Sequence, residues 1–185
     1  MQLSYAQIPR RPVNLMDIQE VFRFVAPRVC EATVKTADQL NHLGIRYALA
    51  GGLAVGAHGY IRATTYVDFL VGEEAFEHQG LLVAFKAGVP IEVDGVRIDY
   101  LSSASLGQQL EEVLDHPPMN EGLPIVPIEV LIYMKLVAKR RKDLVDVIEL
   151  IKVGADVKRV QTYLQQYASD LLPLLEELAN EALGE

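Results

Sequence analysis

Two carboxylates, each alone within an apolar strand, are the residues of this sequence best suited to chemistry. Asp68 stands in the stretch "TYVDFLV" and Asp99 in "VRIDYL", and the neighbours of both are typical of a buried strand. A buried carboxylate is costly unless a cation or hydrogen-bond donor pairs with it. The pattern therefore indicates either a structural partner, for which Arg62 and Arg97 are candidates, or a bound ligand.

Tyr66 is expected to lie beside Asp68. Side chains two residues apart on a strand point to the same face, so Tyr66 and Asp68 project together while Val67 and Phe69 project to the other face. A tyrosine hydroxyl is neutral near pH 7 and adds no negative charge to a site.

A glycine pair separates the strand "IRYALA" from a short predicted helix, "LAVGAHGY". Where a strand ends in glycines and a helix begins, backbone N–H groups and the helix dipole favour a phosphate. Gly51 and Gly52 alone are a weak signal, but together with the two carboxylates they indicate a phosphate-binding site.

Basic residues offer further candidates. Lys135 falls on an apolar stripe of a predicted helix, where it either extends to solvent or points into a cleft to meet a phosphate. The run "KRRK", residues 139–142, is either a solvated helix junction or a local anion-binding face. Asp143 and Asp146 either pair with Lys139, Arg140 or Lys142 of this run, which is the favoured interpretation, or take a catalytic part. Arg62, with Thr64, either orders the loop before the second strand or contacts substrate.

The elements that position these residues are predicted in three segments: an N-terminal helical segment at 1–44, an α/β core at 45–126 and a C-terminal helical segment at 127–185. Helices are predicted over 15–43 (with Asn14 as N-cap, Gly44 as the end and a division at Pro27), 73–87, 104–115, 128–139, 141–153, 156–168 and 170–183. Strands are predicted over 45–50 and 65–71 and in a hairpin over 90–101 that turns at Asp94–Gly95, and residues 115–124 form a loop.

Composition limits the class of protein. The chain has 185 residues, half of them apolar, and a net charge of −8, which disfavours general binding of nucleic acid. Its one cysteine, Cys30, excludes an internal disulfide and a cysteine-based metal site. His42, His58, His78 and His116 lack metal-ligand spacing and are expected to be structural or exposed. With no apolar signal segment or membrane-spanning run, we expect a cytoplasmic protein without a membrane partner.

The stretch from "AGG" through thirteen further residues to "YVDF" resembles the signature of the nucleotidyltransferase fold, the DNA polymerase β-like superfamily. Within that superfamily, residues 47–71 are similar to small bacterial AbiEii-like nucleotidyltransferases, as is the later run "MKLVAKRRKDLVDVIELI". The resemblance covers about residues 30–152. It implies an α/β (α+β) fold with a mixed β-sheet flanked by helices and followed by a C-terminal helical segment.

The resemblance also implies chemistry: transfer of a nucleotidyl group from a nucleoside triphosphate to a hydroxyl of an unidentified protein, RNA or small-molecule acceptor. By this resemblance Asp68 and Asp99 hold Mg²⁺, whereas Gly51, Gly52, Lys135 and Arg62 bind the nucleotide. One departure stands out, because Tyr66 occupies the place of the family's first metal carboxylate. Two hypotheses follow: a transferase that is impaired or inactive, or a non-catalytic protein that binds a nucleotide or a protein partner in a toxin–antitoxin or phage-defence system.

Overall fold

The structure, a computed structural model, describes residues 15–77 and 91–184. Its helices are α1 (Ile18–Phe22), α2 (Pro27–His42), α3 (Gly51–Ala57), α4 (Glu74–Glu77), α5 (Ser103–Leu106), α6 (Gln109–Asp115), α7 (Ile128–Ala138), α8 (Arg141–Lys152), α9 (Val157–Tyr167) and α10 (Leu172–Gly184), with a 3-10 turn at Ser169–Leu171. Its strands are β1 (Tyr47–Leu49), β2 (Tyr66–Val71), β3 (Ile91–Val93), β4 (Val96–Ser102), β5 (Met119–Asn120) and β6 (Leu123–Pro124).

The main sheet has four strands in the order β1-β2-β4-β3. The two central strands, β2 and β4, run parallel, and an antiparallel strand flanks each of them: β1 beside β2, and β3 beside β4. The register of the parallel pair places Asp68 directly opposite Asp99. Since side chains opposite each other on neighbouring strands share a face, this register brings the two carboxylates together.

The other face of the sheet is apolar and packs into the core. Val67, Phe69, Ile98 and Tyr100 are almost completely buried there. The ring of Phe69 stacks on Tyr100 with 6.5 Å between centroids and meets Tyr47 edge to face at 5.6 Å. Burying such side chains contributes about 1.5–3 kcal/mol each, which fixes the register of β2 on β4.

The C-terminal segment packs around α7. Every residue of α7 from Ile128 to Leu136 is buried, as expected for a helix that is apolar on all sides. Lys139 ends the helix in the left-handed conformation, with φ at 52°, and this reverses the chain into α8. The resulting helical hairpin sets the basic start of α8 beside the sheet.

The predicted class, an α/β protein with a mixed sheet flanked by helices and a C-terminal helical segment, is confirmed. The division of the first helix at Pro27 is also confirmed, because Pro27 begins α2. Asn14 lies outside the described residues, and Asp17 is the N-cap of α1, its carboxylate accepting from the N–H of Gln19 at 2.8 Å.

Two other predicted segments differ from the structure, and a third is described only in part. The helix predicted over 104–115 is two helices, since Gly107, with φ at 136°, interrupts it. The predicted loop over 115–124 contains the short pair β5 and β6. Of the helix predicted over 73–87, the structure describes only Glu74–Glu77 as helical, and residues 78–87, including His78, lie outside the described residues.

Candidate functional site

Asp68 and Asp99 face one cavity of about 250 Å³ between the sheet and the α7–α8 hairpin. They are Cα partners on adjacent parallel strands, so the two carboxylates lie side by side on one face of the sheet. Other residues of the cavity wall are Gly51, Arg97, Leu131, Met134, Lys135, Arg140 and Asp143. The wall therefore combines two carboxylates of the sheet with the basic residues of the hairpin.

Gly51 is required by the position of Asp68. A Cβ on Gly51 would lie 1.7 Å from Oδ2 of Asp68, and the residue also has φ at 57°, which disfavours any other residue. The pKa of Asp68 is raised to about 6, mainly by burial and also by the negative charge of Asp99, which together outweigh the lowering by Lys135, Lys142 and Arg140. The carboxylate of Asp68 is thus packed against the start of α3.

Gly52 has a different role from Gly51. It is buried, and a Cβ there would lie 3.0 Å from Oγ1 of Thr64 and 3.4 Å from Nη1 of Arg62. Gly51 borders the cavity, whereas Gly52 lets the loop before β2 pack against α3. No side chain caps the start of α3, which follows Ala50, so the predicted phosphate role of the glycine pair stays a prediction.

Arg97 is the partner of Asp99. The two side chains are two residues apart on β4, and the guanidinium meets both carboxylate oxygens, with Nε 3.0 Å from Oδ1 and Nη2 2.6 Å from Oδ2. This bidentate geometry is the strongest that an arginine makes with a carboxylate. Of the two arginines proposed as partners of the strand carboxylates, Arg97 is correct and Arg62 is not.

Tyr66 lies between two cations. Its ring centroid is 5.6 Å from Cζ of Arg97, within the range of cation–π attraction, and 4.7 Å from Nζ of Lys142, which lies on the hydroxyl side of the ring. Lys142 also donates a hydrogen bond to the Tyr66 hydroxyl. At the place where the resemblance expects a metal-binding carboxylate, the chain therefore positions an aromatic ring and a lysine.

Lys135 is buried and paired, which excludes the interpretation that it extends to solvent. Its Nζ lies 2.9 Å from Oδ1 of Asp143 and 2.7 Å from Oδ2 of Asp146. The side chain borders the cavity, but its ammonium group faces these two carboxylates. Contact of Lys135 with a nucleotide stays a prediction.

Lys135, Asp143 and Asp146 form a group that we call the buried charge cluster, and the half-buried Arg62 and the exposed Arg140 bind it at its edge. Arg62 binds Asp146 through two hydrogen bonds of 2.6 and 2.8 Å, and Arg140 binds Asp143 at 2.5 Å. Burial alone raises the pKa of Asp143, but hydrogen bonds from Arg140 and Lys135 outweigh it, so the pKa lies below its usual range.

The partners predicted for the two acids of α8 are therefore only partly right. Arg140 does pair with Asp143, but Asp146 pairs with Arg62 and Lys135 rather than with the basic run. Arg62 and Asp146 are 84 residues apart, and no local pattern links them. One available signal was the spacing of Asp143 and Asp146, which places both on one face of an amphipathic helix.

As arranged, these residues do not fit a two-ion Mg²⁺ site. Within residues 15–77 and 91–184, no group of three or more histidine, cysteine, aspartate or glutamate side chains is placed to hold a metal ion. Asp68 and Asp99 supply only two carboxylates, and both oxygens of Asp99 already accept hydrogen bonds from Arg97. The hydroxyl of Tyr66 accepts a hydrogen bond from Lys142. Two adjacent divalent ions need more negative ligands than this to offset their repulsion.

The histidines in the described ranges are exposed or structural, as expected, and the cysteine lies on a helix. His42 and His116 are exposed, whereas Nε2 of His58 lies 2.8 Å from the carbonyl oxygen of Val126. Burial lowers the pKa of His58, which keeps the ring neutral. Cys30 is a half-buried residue of α2.

Among solved structures, the chain is similar to an antigenic nucleotidyltransferase-like protein from Paracoccidioides brasiliensis, with 15% sequence identity and a TM-score of 0.44. The similarity covers 82% of this chain and 94% of that one. It is a likeness of overall arrangement and carries no argument about activity. No protein-family model and no curated protein matches the chain. Across the two described ranges, no helix combines the length and the apolar character needed to cross a bilayer.

Proposed function

We propose that this protein is a nucleotidyltransferase-like protein that binds a nucleoside triphosphate in the cavity beside Asp68 and Asp99 but does not turn it over efficiently. The proposal combines the sequence resemblance with the position of the two carboxylates on adjacent strands facing one cavity. The observation that carries the loss of turnover is the contact of Tyr66 with Lys142 at the place of the family's first metal carboxylate.

The chemistry explains why this position matters. Mg²⁺, where bound, would hold the triphosphate and activate the acceptor hydroxyl, and several negative ligands are needed to place two such ions. In this chain only Asp68 and Asp99 remain of such a set, and a neutral tyrosine beside a lysine stands in the place of the family's first metal carboxylate. Of the two hypotheses raised by the sequence, non-catalytic nucleotide binding is therefore the better supported.

The chain's own residues would bind and orient the nucleotide. Gly51 borders the cavity at the start of α3, and its lack of a Cβ makes room for the carboxylate of Asp68. Phosphate binding by Gly51 and Gly52 rests on the resemblance. Arg62 and Lys135 would support nucleotide binding indirectly, because their salt bridges hold the first turns of α8 against the loop before β2. Three parts of the proposal rest on the resemblance: an acceptor that is a protein, RNA or small molecule, the AbiEii-like subfamily, and a protein partner in a toxin–antitoxin or phage-defence pair. A cytoplasmic location rests on composition.

The test compares binding with turnover. Affinities for ATP, GTP, CTP and UTP would be measured by calorimetry in the presence of Mg²⁺, and transfer of label from α-labelled triphosphates would be followed with candidate acceptors. We expect measurable binding without labelled product. Affinity should change in Asp68→Asn, whose carboxylate faces the cavity, and stay at the native value in the matched control Asp170→Asn, whose aspartate is exposed in the 3-10 turn. Metal-dependent transfer by the native chain that Asp68→Asn abolishes would show that it is an active transferase.

A further inference from the structure

We propose that Arg97, Arg140 and Lys142 bind the phosphates of the ligand directly, so that the cavity takes up a polyphosphate without a divalent cation. This inference rests on the proposed function, since it concerns the same cavity, and it names the groups that replace the metal. We call these three residues the cationic rim.

The first argument is position. Arg97 and Arg140 line the cavity that contains Asp68 and Asp99. Lys142 lies next to this wall, because its Nζ contacts the ring and hydroxyl of Tyr66, whose ring also faces Arg97. The three cations thus approach the mouth of the cavity from β4 and from the start of α8.

The second argument is the state of their charges. Arg97 and Arg140 each pair with one carboxylate, yet 61% of each side chain is exposed. A guanidinium carries five N–H donors, and the bond to a carboxylate uses only part of them. The hydrogen bond of Lys142 goes to a neutral hydroxyl, so its full positive charge remains to attract an anion.

The third argument is the sequence of α8, which places basic residues where a helix least favours them. Arg140 is its N-cap, Arg141 and Lys142 begin its first turn, and no side chain caps its backbone N–H groups. The positive end of the helix dipole repels these cations and attracts an anion. Asp143 offsets the repulsion from within the helix, and a bound phosphate would offset it further from the cavity side.

The fourth argument is the replacement of an acid by Tyr66. Without metal, an additional carboxylate beside Asp68 and Asp99 would repel a triphosphate. A tyrosine removes this negative charge; its ring lies within cation–π range of Arg97, and its hydroxyl accepts a hydrogen bond from Lys142. The same substitution that disfavours two Mg²⁺ ions therefore favours direct binding of phosphate.

The experiment measures ATP affinity in EDTA and in Mg²⁺, with inorganic tripolyphosphate as a competitor. We expect ATP to bind in EDTA, and tripolyphosphate to displace it. Lys142→Gln and Arg97→Gln should each weaken binding in EDTA by about tenfold, the value of one charge-assisted hydrogen bond. The matched control is Arg141→Gln, which removes the same charge from the neighbouring position of α8 but not from the cavity wall. Thermal melting verifies that each variant is folded.

The outcomes are distinguishable. ATP binding only with Mg²⁺ would overturn the inference and leave the proposed function intact. No binding under either condition would overturn both. An equal loss of affinity in Arg141→Gln and Lys142→Gln would mean that the effect is one of net charge, and the cationic rim would no longer be a site. Retained affinity in folded Lys142→Gln and Arg97→Gln would also reject it.

Discussion

Lys135 and Asp143 face each other across the hairpin of α7 and α8, with 2.9 Å between Nζ and Oδ1, and Asp146 lies 2.7 Å from the same ammonium group. Asp146 in turn binds Arg62 from the loop before β2. One buried lysine thus connects the C-terminal helices with the loop leading to the site. This connection sets the start of α8, and with it Lys142, beside Tyr66.

Replacing Lys135 by methionine should destabilise the fold. The sequence alone indicates the opposite, because removal of an isolated buried charge is favourable. In the structure the substitution leaves Asp143 and Asp146 buried with one cation fewer, and breaking such a pair costs about 3–5 kcal/mol. Urea unfolding would measure the loss. Lys158→Met, at an exposed position of α9, is the control and should change stability little. Equal stability of the Lys135 variant and the native chain would contradict this prediction.

Acid should weaken the buried charge cluster through Asp143. The pKa of this carboxyl is lowered in the folded protein below its ordinary value of 3.8. Its contribution is therefore fully present above that ordinary value and is lost as the pH falls through the lower, folded-state value. We expect the stability difference between the native chain and Asp143→Asn to be constant near neutral pH and to shrink below about pH 4.

Urea unfolding between neutral pH and the acid limit of the fold would measure that difference. The control is Asp156→Asn at the N-cap of α9, whose side chain is exposed and accepts a hydrogen bond from the N–H of Arg159 at 3.2 Å. A stability difference for Asp143→Asn that does not change with pH would show that the carboxylate is not held ionised by its partners.

Local patterns predicted the site in part. The period of two on β2 placed Tyr66 beside Asp68, and the glycine pair marked the start of α3. Asp68 and Asp99 face each other because of the register of β2 with β4. That register is set by the packing of the apolar face of the sheet. The salt bridge between Arg62 and Asp146 joins residues 84 positions apart. Such contacts arise from tertiary packing, so the spacing of residues within one element cannot predict them.

Gly51→Ala should destabilise the protein through two separable effects. The new Cβ would lie 1.7 Å from Oδ2 of Asp68, and alanine is unfavourable at φ 57°. Gly44→Ala isolates the backbone effect, because Gly44 has φ at 68° with no other atom within 4 Å of a new Cβ. We expect a loss of about 1–2 kcal/mol for Gly44→Ala and a larger loss for Gly51→Ala.

A double-mutant cycle separates the clash from the strain. Adding Asp68→Gly to Gly51→Ala removes the carboxylate that the Cβ meets, so the double variant should recover stability relative to Gly51→Ala alone. Thermal and urea unfolding would measure the four corners of the cycle. Additive losses would mean that Gly51 and Asp68 do not constrain each other.

Tyr66→Asp should convert the site from direct phosphate binding towards metal binding. The substitution adds a third carboxylate beside Asp68 and Asp99 and removes the ring that lies between Lys142 and Arg97. We expect Mg²⁺ affinity to rise and ATP affinity in EDTA to fall. The control is Tyr66→Asn, which removes the same ring and has the size of the aspartate but no charge. Calorimetry with Mg²⁺ and with ATP in EDTA would measure both changes.

The same variant tests whether loss of one acid explains loss of turnover. A main ligand in a two-ion site supplies several kcal/mol of transition-state stabilisation, and each ~1.4 kcal/mol is tenfold in rate. If the rest of the site is intact, Tyr66→Asp should transfer label from an α-labelled triphosphate to a suitable acceptor orders of magnitude faster than the native chain. It should also melt at a lower temperature without Mg²⁺ than with it, because three adjacent carboxylates repel one another.

Unchanged Mg²⁺ affinity in Tyr66→Asp, with Tyr66→Asn behaving alike, would mean that the bidentate pair of Arg97 with Asp99 also prevents metal binding. Adding Arg97→Gln to Tyr66→Asp would then be the variant that restores it.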